Sequence, residues 1–376
     1  MGDQAGEPIA PTLDPSVTYA FSDPEEFARA CEAKVGAGYV YARWGNPTVD
    51  AFKAAVADLE GAADSEAFAS GMGAISCTLL ALCRGGDKVV ATRQLYGNTY
   101  SLLHDRLPRY GIETTFCDLH DYAGLEEALN GATLLYCETI GNPRIQVADL
   151  RRLGRLARSA GVPLLVDNTF ATPVLCRPLE HGASLVLHSA TKAIGGHHDM
   201  LGGVVCGDES IVSEVRIAAR DFGPTMSPFN AWLGLRGITT LPLRARRQSE
   251  TAAAIAATLD DHPEIEVVYH PSLPNDPSHS LAQALLQGWG GGTIGFELSG
   301  GRERAVRFQR ALEIIKPAAS LGGVHSLIVH AASVTHTQLT GDELAAAGIS
   351  EGFCRLSIGL EDAGDLATDL GGALKA

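Results

Sequence analysis

PLLVDNTFATPVLCRPLEHGASLVLHSATKAIGGHHDMLGG, residues 163–203, holds two apolar runs that each stop abruptly at polar residues. The first ends in Asp167. The second, ASLVLH, ends in Ser189-Ala190-Thr191-Lys192, after which glycines crowd the loop. Continuous apolar runs of this kind are buried strands, and open α/β sheets hold their ligands at the carboxyl ends of such strands. Asp167 and Lys192 are therefore expected at one edge of one sheet. A carboxylate and an amine gathered there, with the hydroxyls of Ser189 and Thr191, suit pyridoxal 5'-phosphate. Lys192 would form the Schiff base, Asp167 would keep the pyridine nitrogen protonated, and the two hydroxyls would hold the phosphate. Low-polarity walls and a nearby pyridinium would let the lysine lose its proton and act as a base.

Working outward, 376 residues give room for a large core and two domains. An apolar content of 45% with 19% charged residues is that of a globular chain. The formal net charge of −15 argues against nucleic acid and against anionic membrane surfaces as partners. The first residues, MGDQAGEPIAPTLDPS, have neither a basic nor an apolar region of the secretory kind, and no apolar run approaches the length of a membrane span. The eight cysteines are scattered, mostly in apolar segments, without a C-x-x-C pair. They read as core residues of a cytoplasmic enzyme.

Residues 1–47 carry scattered Pro and Gly with weak periodicity and read as an extended arm that lies on a neighbouring subunit. From Thr48 to about 243 the pattern alternates. Phe52, Val56 and Leu59 recur at helix spacing, and a glycine-opened helix (AISCTLLALC) follows Ser70. Strands KVVAT, IETTFCD, ATLLYCE, VPLLVD and SLVLH then interleave with helical segments. This predicts an α/β domain with a mostly parallel sheet covered on both faces. Residues 244–376 mix helices with short strands such as IEVVYH, TIGFELS and FCRLSIG, and read as a smaller α+β domain.

Several constellations bear on chemistry. Ser70-Gly71-Met72-Gly73 opens a helix and reads as a phosphate cradle. A dinucleotide fingerprint fails there, because Ser76 stands at its third glycine and the residues before it make a poor strand. Tyr96 follows strand KVVAT, where its ring would stack on a planar cofactor. Asn142, after LLYCE, would reach the cofactor's phenolic oxygen. His197-His198-Asp199 lacks a further ligand at a useful spacing, so no metal is expected. The arginines at 151, 152, 155 and 158 read as one solvated helix face. Arg355 is different. It sits inside the apolar strand FCRLSIG, where an inward guanidinium needs an anion: either a substrate carboxylate or a structural partner.

With these residues assembled, the chain from about Tyr39 onward resembles the Cys/Met-metabolism family of pyridoxal-phosphate enzymes, which includes cystathionine γ-synthase, the cystathionine lyases, methionine γ-lyase and the homoserine sulfhydrylases. The motifs are YARWGNPT, ASGM, LYGNT, VDNTFATP, HSATK, ASLGG and CRLSIGLED. The resemblance implies fold type I, the aspartate-aminotransferase-like α/β fold, in a homotetramer built from two dimers with active sites shared between subunits. It implies that Tyr41 and Arg43 reach the neighbouring subunit's cofactor phosphate. Gly71, Met72, Ser189 and Thr191 would hold the phosphate within the chain. Tyr96 would stack on the ring and serve as acid or base, and Ser320 and Arg355 would hold the substrate carboxylate.

Two positions depart from relatives that handle cystathionine, which often carry acidic residues where this chain has Val40 and His325. A distal ammonium would lose partners there and a plain thioether would not. Arg220-Asp221 resembles a Lys-Asp pair of methionine γ-lyases, whereas Asn98 stands where those enzymes usually carry Cys. The expectation is a carbon–sulfur lyase performing γ-elimination, with methionine favoured and cystathionine next. The alternatives are a γ-replacement enzyme using an activated homoserine and, from another class, a cofactor-binding protein without turnover.

Overall fold

The computed structural model describes residues 8–32, 38–334, 344 and 348–375. The parts of the arm at 1–7 and 33–37 lie outside the described residues. Among the described residues up to Gly207 there are nine strands: β1 Asp64–Phe68, β2 Lys88–Thr92, β3 Glu113–Cys117, β4 Leu134–Glu138, β5 Ile140–Gly141, β6 Gln146–Val147, β7 Leu164–Asp167, β8 Leu185–His188 and β9 Gly203–Gly207. Seven of them form one sheet in the order β1-β9-β8-β7-β4-β2-β3, in which β9 alone runs antiparallel to its neighbours. β5 and β6 pair separately.

Alternation along the strands explains the two-sided burial. Leu134 and Tyr136 of β4 face a core shared with helix Gly71–Leu82, while Leu135 and Cys137 face one shared with helix Leu150–Ala160. A sheet so covered is buried on both faces, which is why its strands read as unbroken apolar runs. Seven of the eight cysteines are buried, and Cys31 is exposed. All four arginines of helix Leu150–Ala160 are exposed, as their spacing predicts.

The first helix of the large domain, Pro47–Glu60, begins where Asn46 accepts hydrogen bonds from the N–H groups of Thr48 and Val49. It ends at Gly61, whose φ of 68° closes it in the left-handed region.

Three expectations need correction. DSEAF, read as a poor strand, is β1. Its charges hide the pattern because they are paired internally: Arg216 bridges Asp64 and Glu66, and Lys53 also reaches Glu66. β9 is a second strand absent from the sequence reading. It is bounded by glycines because other backbone crowds it: a Cβ on Gly203 would fall 2.3 Å from the Ser70 carbonyl oxygen. The arm is not wholly extended either, since Pro24–Glu32 is helical.

The second half contributes β10 Ile265–Tyr269, β11 Thr293–Leu298, β12 Lys316–Pro317, β13 Leu327–His330 and β14 Phe353–Ser357. They form a sheet in the order β10-β11-β14-β13-β12, antiparallel except between β12 and β13. Helix Leu241–Asp260 joins the two halves. Leu241 packs with Phe52 and Val204 of the large sheet's side, whereas Ala252, Ile255 and Leu259 pack with Phe296 and Leu356 of the second sheet. The division drawn at 243 and 244 falls within this helix.

Phe296 anchors the smaller core. It is fully buried and meets Phe308 edge-on at 5.9 Å. Truncation to alanine should cost about 3–5 kcal/mol, read as a lowered denaturant midpoint with an unchanged slope.

Candidate active site

The carboxyl ends of β1, β2, β4, β7 and β8 lie along one edge of the large sheet, and the second sheet closes over it. Between them is a cavity of about 240 Å³. Its walls bring together Gly71, Met72, Tyr96, Asn142, Asp167, Ser189, Thr191, Lys192, Ser320 and Arg355, ten of the residues singled out from sequence. Two larger cavities, of about 550 and 770 Å³, lack this chemistry. Side-chain chemistry, not volume, picks out the site.

Asp167 ends β7 and is buried. Burial pushes its carboxyl above the usual range, opposed by the Thr169 hydroxyl and N–H, the latter 3.0 Å from Oδ1, and then by His188 and the Tyr136 hydroxyl. Glu138 ends β4 as the paired neighbour of Asp167. Its carboxyl is raised well above the usual range by burial and then by the Asp167 charge. It accepts the N–H groups of Tyr96 at 2.5 Å and Asn142 at 3.1 Å, and so fixes two loops at once. Glu138 and Thr169 both line the cavity and are not singled out by the sequence reading. Their signal was position alone, at or just beyond the ends of the same strands.

Lys192 donates from Nζ to Ser320 Oγ at 3.4 Å. Its pKa is lowered by burial and then by the Arg355 charge, so the neutral amine is within easier reach than for a surface lysine. Helix Gly71–Leu82 opens beside it, capped by the Ser70 hydroxyl, which accepts the Gly73 N–H at 3.0 Å. Gly71 lies so close to Ser189 that a Cβ there would be 2.7 Å from that residue's Cβ and Oγ. Gly71→Ala should therefore splay this cradle. We expect cofactor affinity to fall by roughly 5- to 150-fold, the equivalent of about 1–3 kcal/mol of overpacking, measured by equilibrium dialysis of the cofactor.

Arg355, on β14, is 4% exposed. Nη1 donates to Asn142 Oδ1 at 2.8 Å and Nη2 to the Ser320 carbonyl at 3.4 Å, while Nε has no partner. Burial lowers its pKa to about 10, opposed by Tyr96 and Glu138. Its hydrogen-bond partners are neutral, so no hydrogen bond pairs the guanidinium with an anion, and Nε is left as a free donor. Ser320 has φ 131°, a strained setting for a serine at this junction. Asn142, expected at the cofactor's oxygen, has its own oxygen engaged by Arg355.

Other expected residues lie apart. Asn98 donates to the Tyr96 hydroxyl at 3.2 Å from outside the cavity. His325 lines the 770 Å³ cavity next door, where its ring stacks on His198 at 5.9 Å. Within one chain Val40, Tyr41 and Arg43 are not among the residues that line the cavity with Lys192. Val40 lines the 550 Å³ cavity with Trp44 and Arg220, and the Arg43 guanidinium donates to the Arg220 carbonyl.

The donor set fits pyridoxal phosphate: a helix N-terminus and hydroxyls at one end, a buried carboxylate at the other, and an easily deprotonated lysine between them. Fold and cavity together define a pyridoxal-phosphate-dependent enzyme of fold type I. A family model described as Cys/Met metabolism PLP-dependent enzyme matches residues 2–375, and the chain belongs to that family. An L-methionine gamma-lyase of Pseudomonas putida is 41% identical over 374 residues, covering 99% of this chain and 94% of its own length. A cystathionine gamma-lyase of Bacillus subtilis strain 168 is 41% identical over 340 residues, covering 90% and 89%. Among solved structures, a Campylobacter jejuni protein described as an O-acetylhomoserine (thiol)-lyase carries a pyridoxyl-lysine monophosphate. It superposes with a TM-score of 0.95 at 31% identity, over 98% of this chain and 96% of that one.

Proposed function

We propose that the chain is a γ-eliminating carbon–sulfur lyase that takes methionine in preference to cystathionine and yields 2-oxobutanoate, ammonia and a thiol. The observation that carries this reading is Arg355, a buried guanidinium with an unpartnered Nε that opens into the same cavity as Lys192. A charge so placed is best satisfied by the carboxylate of an α-amino acid, held bidentately.

When bound, the cofactor supplies the electron sink that makes removal of a proton from the substrate's α-carbon feasible. Gly71, Met72, Ser189 and Thr191 would bind its phosphate and Asp167 would pair with its ring nitrogen. Arg355 and Ser320 orient the substrate so that its α-proton meets Lys192 Nζ. The amine takes that proton and returns protons along the substrate's carbon chain. The Tyr96 hydroxyl, beside the cavity mouth, gives a proton to the departing sulfur. Water then completes the balance: methionine and water become 2-oxobutanoate, ammonia and methanethiol.

The finer features follow the same reading. Tyr41 and Arg43 of one subunit complete the phosphate site of its neighbour in a homotetramer, and Val40 contributes an apolar wall there. His325 and Asn98 shape the approach of the substrate's far end. No helix among the described residues is long and apolar enough to cross a membrane, and the proposed location is the cytoplasm.

The test is 2-oxobutanoate release by the purified protein with methionine, cystathionine and O-succinylhomoserine side by side. Methionine should turn over best, with methanethiol evolved. Preference for cystathionine would mean that other groups receive its distal ammonium. Little release until a thiol is added to the activated homoserine would make it a replacement enzyme, the reading that likeness to the O-acetylhomoserine (thiol)-lyase favours.

A further inference from the structure

Lys192 and Ser320 touch inside the cavity, although one follows β8 and the other lies between β12 and β13. Both segments are gripped by the helix that joins the two halves, Leu241–Asp260, through two residues that line none of the cavity. Arg244, in its first turn, is 3% exposed. Nη1 donates to the Ala193 carbonyl at 2.7 Å. Nη2 donates to the Gly237 carbonyl at 2.7 Å and to that of Ile194 at 3.5 Å, and Nε donates to the Thr240 hydroxyl at 3.0 Å. Ala193 and Ile194 are the two residues that follow Lys192. One helical turn on, and on the same face, Gln248 is also buried. It donates from Nε2 to the carbonyl of Gly323, three residues after Ser320, at 2.7 Å.

The two gripped segments also meet each other. The Val324 N–H donates to the Gly196 carbonyl at 3.0 Å, and a Cβ on Gly322 would stand 2.7 Å from the Ala193 nitrogen. Gly237, on helix Pro228–Ile238, lies so close to the Ile194 and Gly195 carbonyls that a side chain there would strike them. The turn itself is closed by the Gly196 N–H, which donates to the Lys192 carbonyl at 2.8 Å. Displacement of the Ala193 carbonyl therefore reaches Lys192 with little slack.

Packing alone does not account for Arg244. Its hydrogen-bond partners are all neutral oxygens, and burial lowers its pKa to about 10, so the cation is held there at a desolvation cost. An apolar side chain would carry no such cost. What the guanidinium adds is a planar fork that fixes several carbonyls in one geometry. We propose that Arg244 and Gln248 are positioning residues that set Lys192 Nζ against Ser320, Arg244 by fixing the turn after Lys192 and Gln248 by fixing the segment that carries Ser320. The inference rests on the assignment of Lys192 as the base and of Ser320 to the substrate carboxylate.

The test compares holoenzyme of wild type, Arg244→Met, Arg244→Lys, Gln248→Met and Lys192→Ala. Far-UV circular dichroism and thermal melting report the fold. The pH midpoint of the visible band reports the proton on the Lys192 Schiff base. Values of kcat and KM are taken with whichever amino acid wild type turns over best, so the outcome does not depend on methionine being that substrate. Arg244→Met should shift the midpoint by about one pH unit and lower kcat by about 100-fold, the effect of misplacing a reacting group by about 1 Å. Arg244→Lys keeps the charge without the fork and should also lose at least about tenfold in kcat. Gln248→Met, acting through Ser320, should raise KM by up to about tenfold with a smaller change in kcat, as expected for loss of one hydrogen bond behind a binding group.

A folded Arg244→Met enzyme that melts earlier but keeps the wild-type midpoint and kcat would make Arg244 structural and overturn the proposal. An Arg244→Lys enzyme equal to wild type would overturn the role of the fork. A wild-type KM in Gln248→Met would overturn the part assigned to Gln248. Should Arg244→Met not fold, Arg244→Lys and Gln248→Met decide by the same measurements. A Lys192→Ala enzyme within tenfold of wild type would overturn the assignment of Lys192 first, and the inference with it.

Discussion

Lys192→Ala should leave a folded protein whose release of 2-oxobutanoate is lowered by roughly 10³- to 10⁴-fold, the range that follows from the proposed role of Lys192 as general base and covalent anchor. Lys192 is placed between the two sheets, its amine on Ser320 Oγ and the Arg355 charge near enough to depress its pKa further after burial has done so. That depression has a sign. The amine acts as a base only when unprotonated, so activity should fall as pH drops through the lowered pKa and persist to a lower pH than an ordinary lysine would allow. Lys192→Arg, which keeps the charge and removes the base, should be as inactive as the alanine variant. A rate–pH profile together with the visible spectrum of each variant separates loss of the base from loss of the cofactor. An alanine variant within tenfold of wild type would remove Lys192 from the mechanism.

Arg355→Met should likewise separate activity from stability. Removing one partner of a buried charge pair costs about 2–5 kcal/mol of binding, or roughly 30- to several-thousand-fold in kcat/KM, and it should appear mainly in KM. Yet the free enzyme should barely notice. The guanidinium is buried without an anionic hydrogen-bond partner, so its removal relieves a desolvation cost, while the Asn142 and Ser320 oxygens each lose a donor. These terms oppose each other, and the unfolding free energy should move by less than about 1 kcal/mol. Steady-state kinetics and a denaturant titration on the same preparation provide the check. A variant that unfolds easily but binds substrate normally would show Arg355 to be structural.

Legibility of the sequence followed the kind of residue involved. Runs of Leu and Val ending in one polar residue marked Asp167 and Lys192, because strands buried on both faces have little freedom in composition. Arg355 stood out for the same reason, as a charge inside such a run. β1 was hidden because Asp64 and Glu66 are charges that Arg216 and Lys53 neutralise from distant positions, and no local pattern records that. β9 was hidden by its terminal glycines, which reflect the approach of Ser70 and Leu185 and not a break in the strand. Glu60 ends helix Pro47–Glu60 and His188 ends β8. Their pairing spans 128 positions and exists only once the chain is folded.

The cavity is assembled from two bodies with separate cores. Asn142 and Lys192 come from the large sheet and its loops, while Arg355 and Ser320 come from β14 and from the segment between β12 and β13. On the proposed reading, custody of the cofactor falls to the first unit and the hold on the substrate carboxylate to the second. Evolution can then edit the second unit, widening or recharging the rim around Ser320 and His325, without loosening the first. Such a division suits a scaffold whose relatives bear the names of lyases and of a thiol-lyase of acetylhomoserine. It also tells an engineer where to look: substitutions that change which amino acid enters should include the rim around Ser320 and His325, together with Val40 and Asn98.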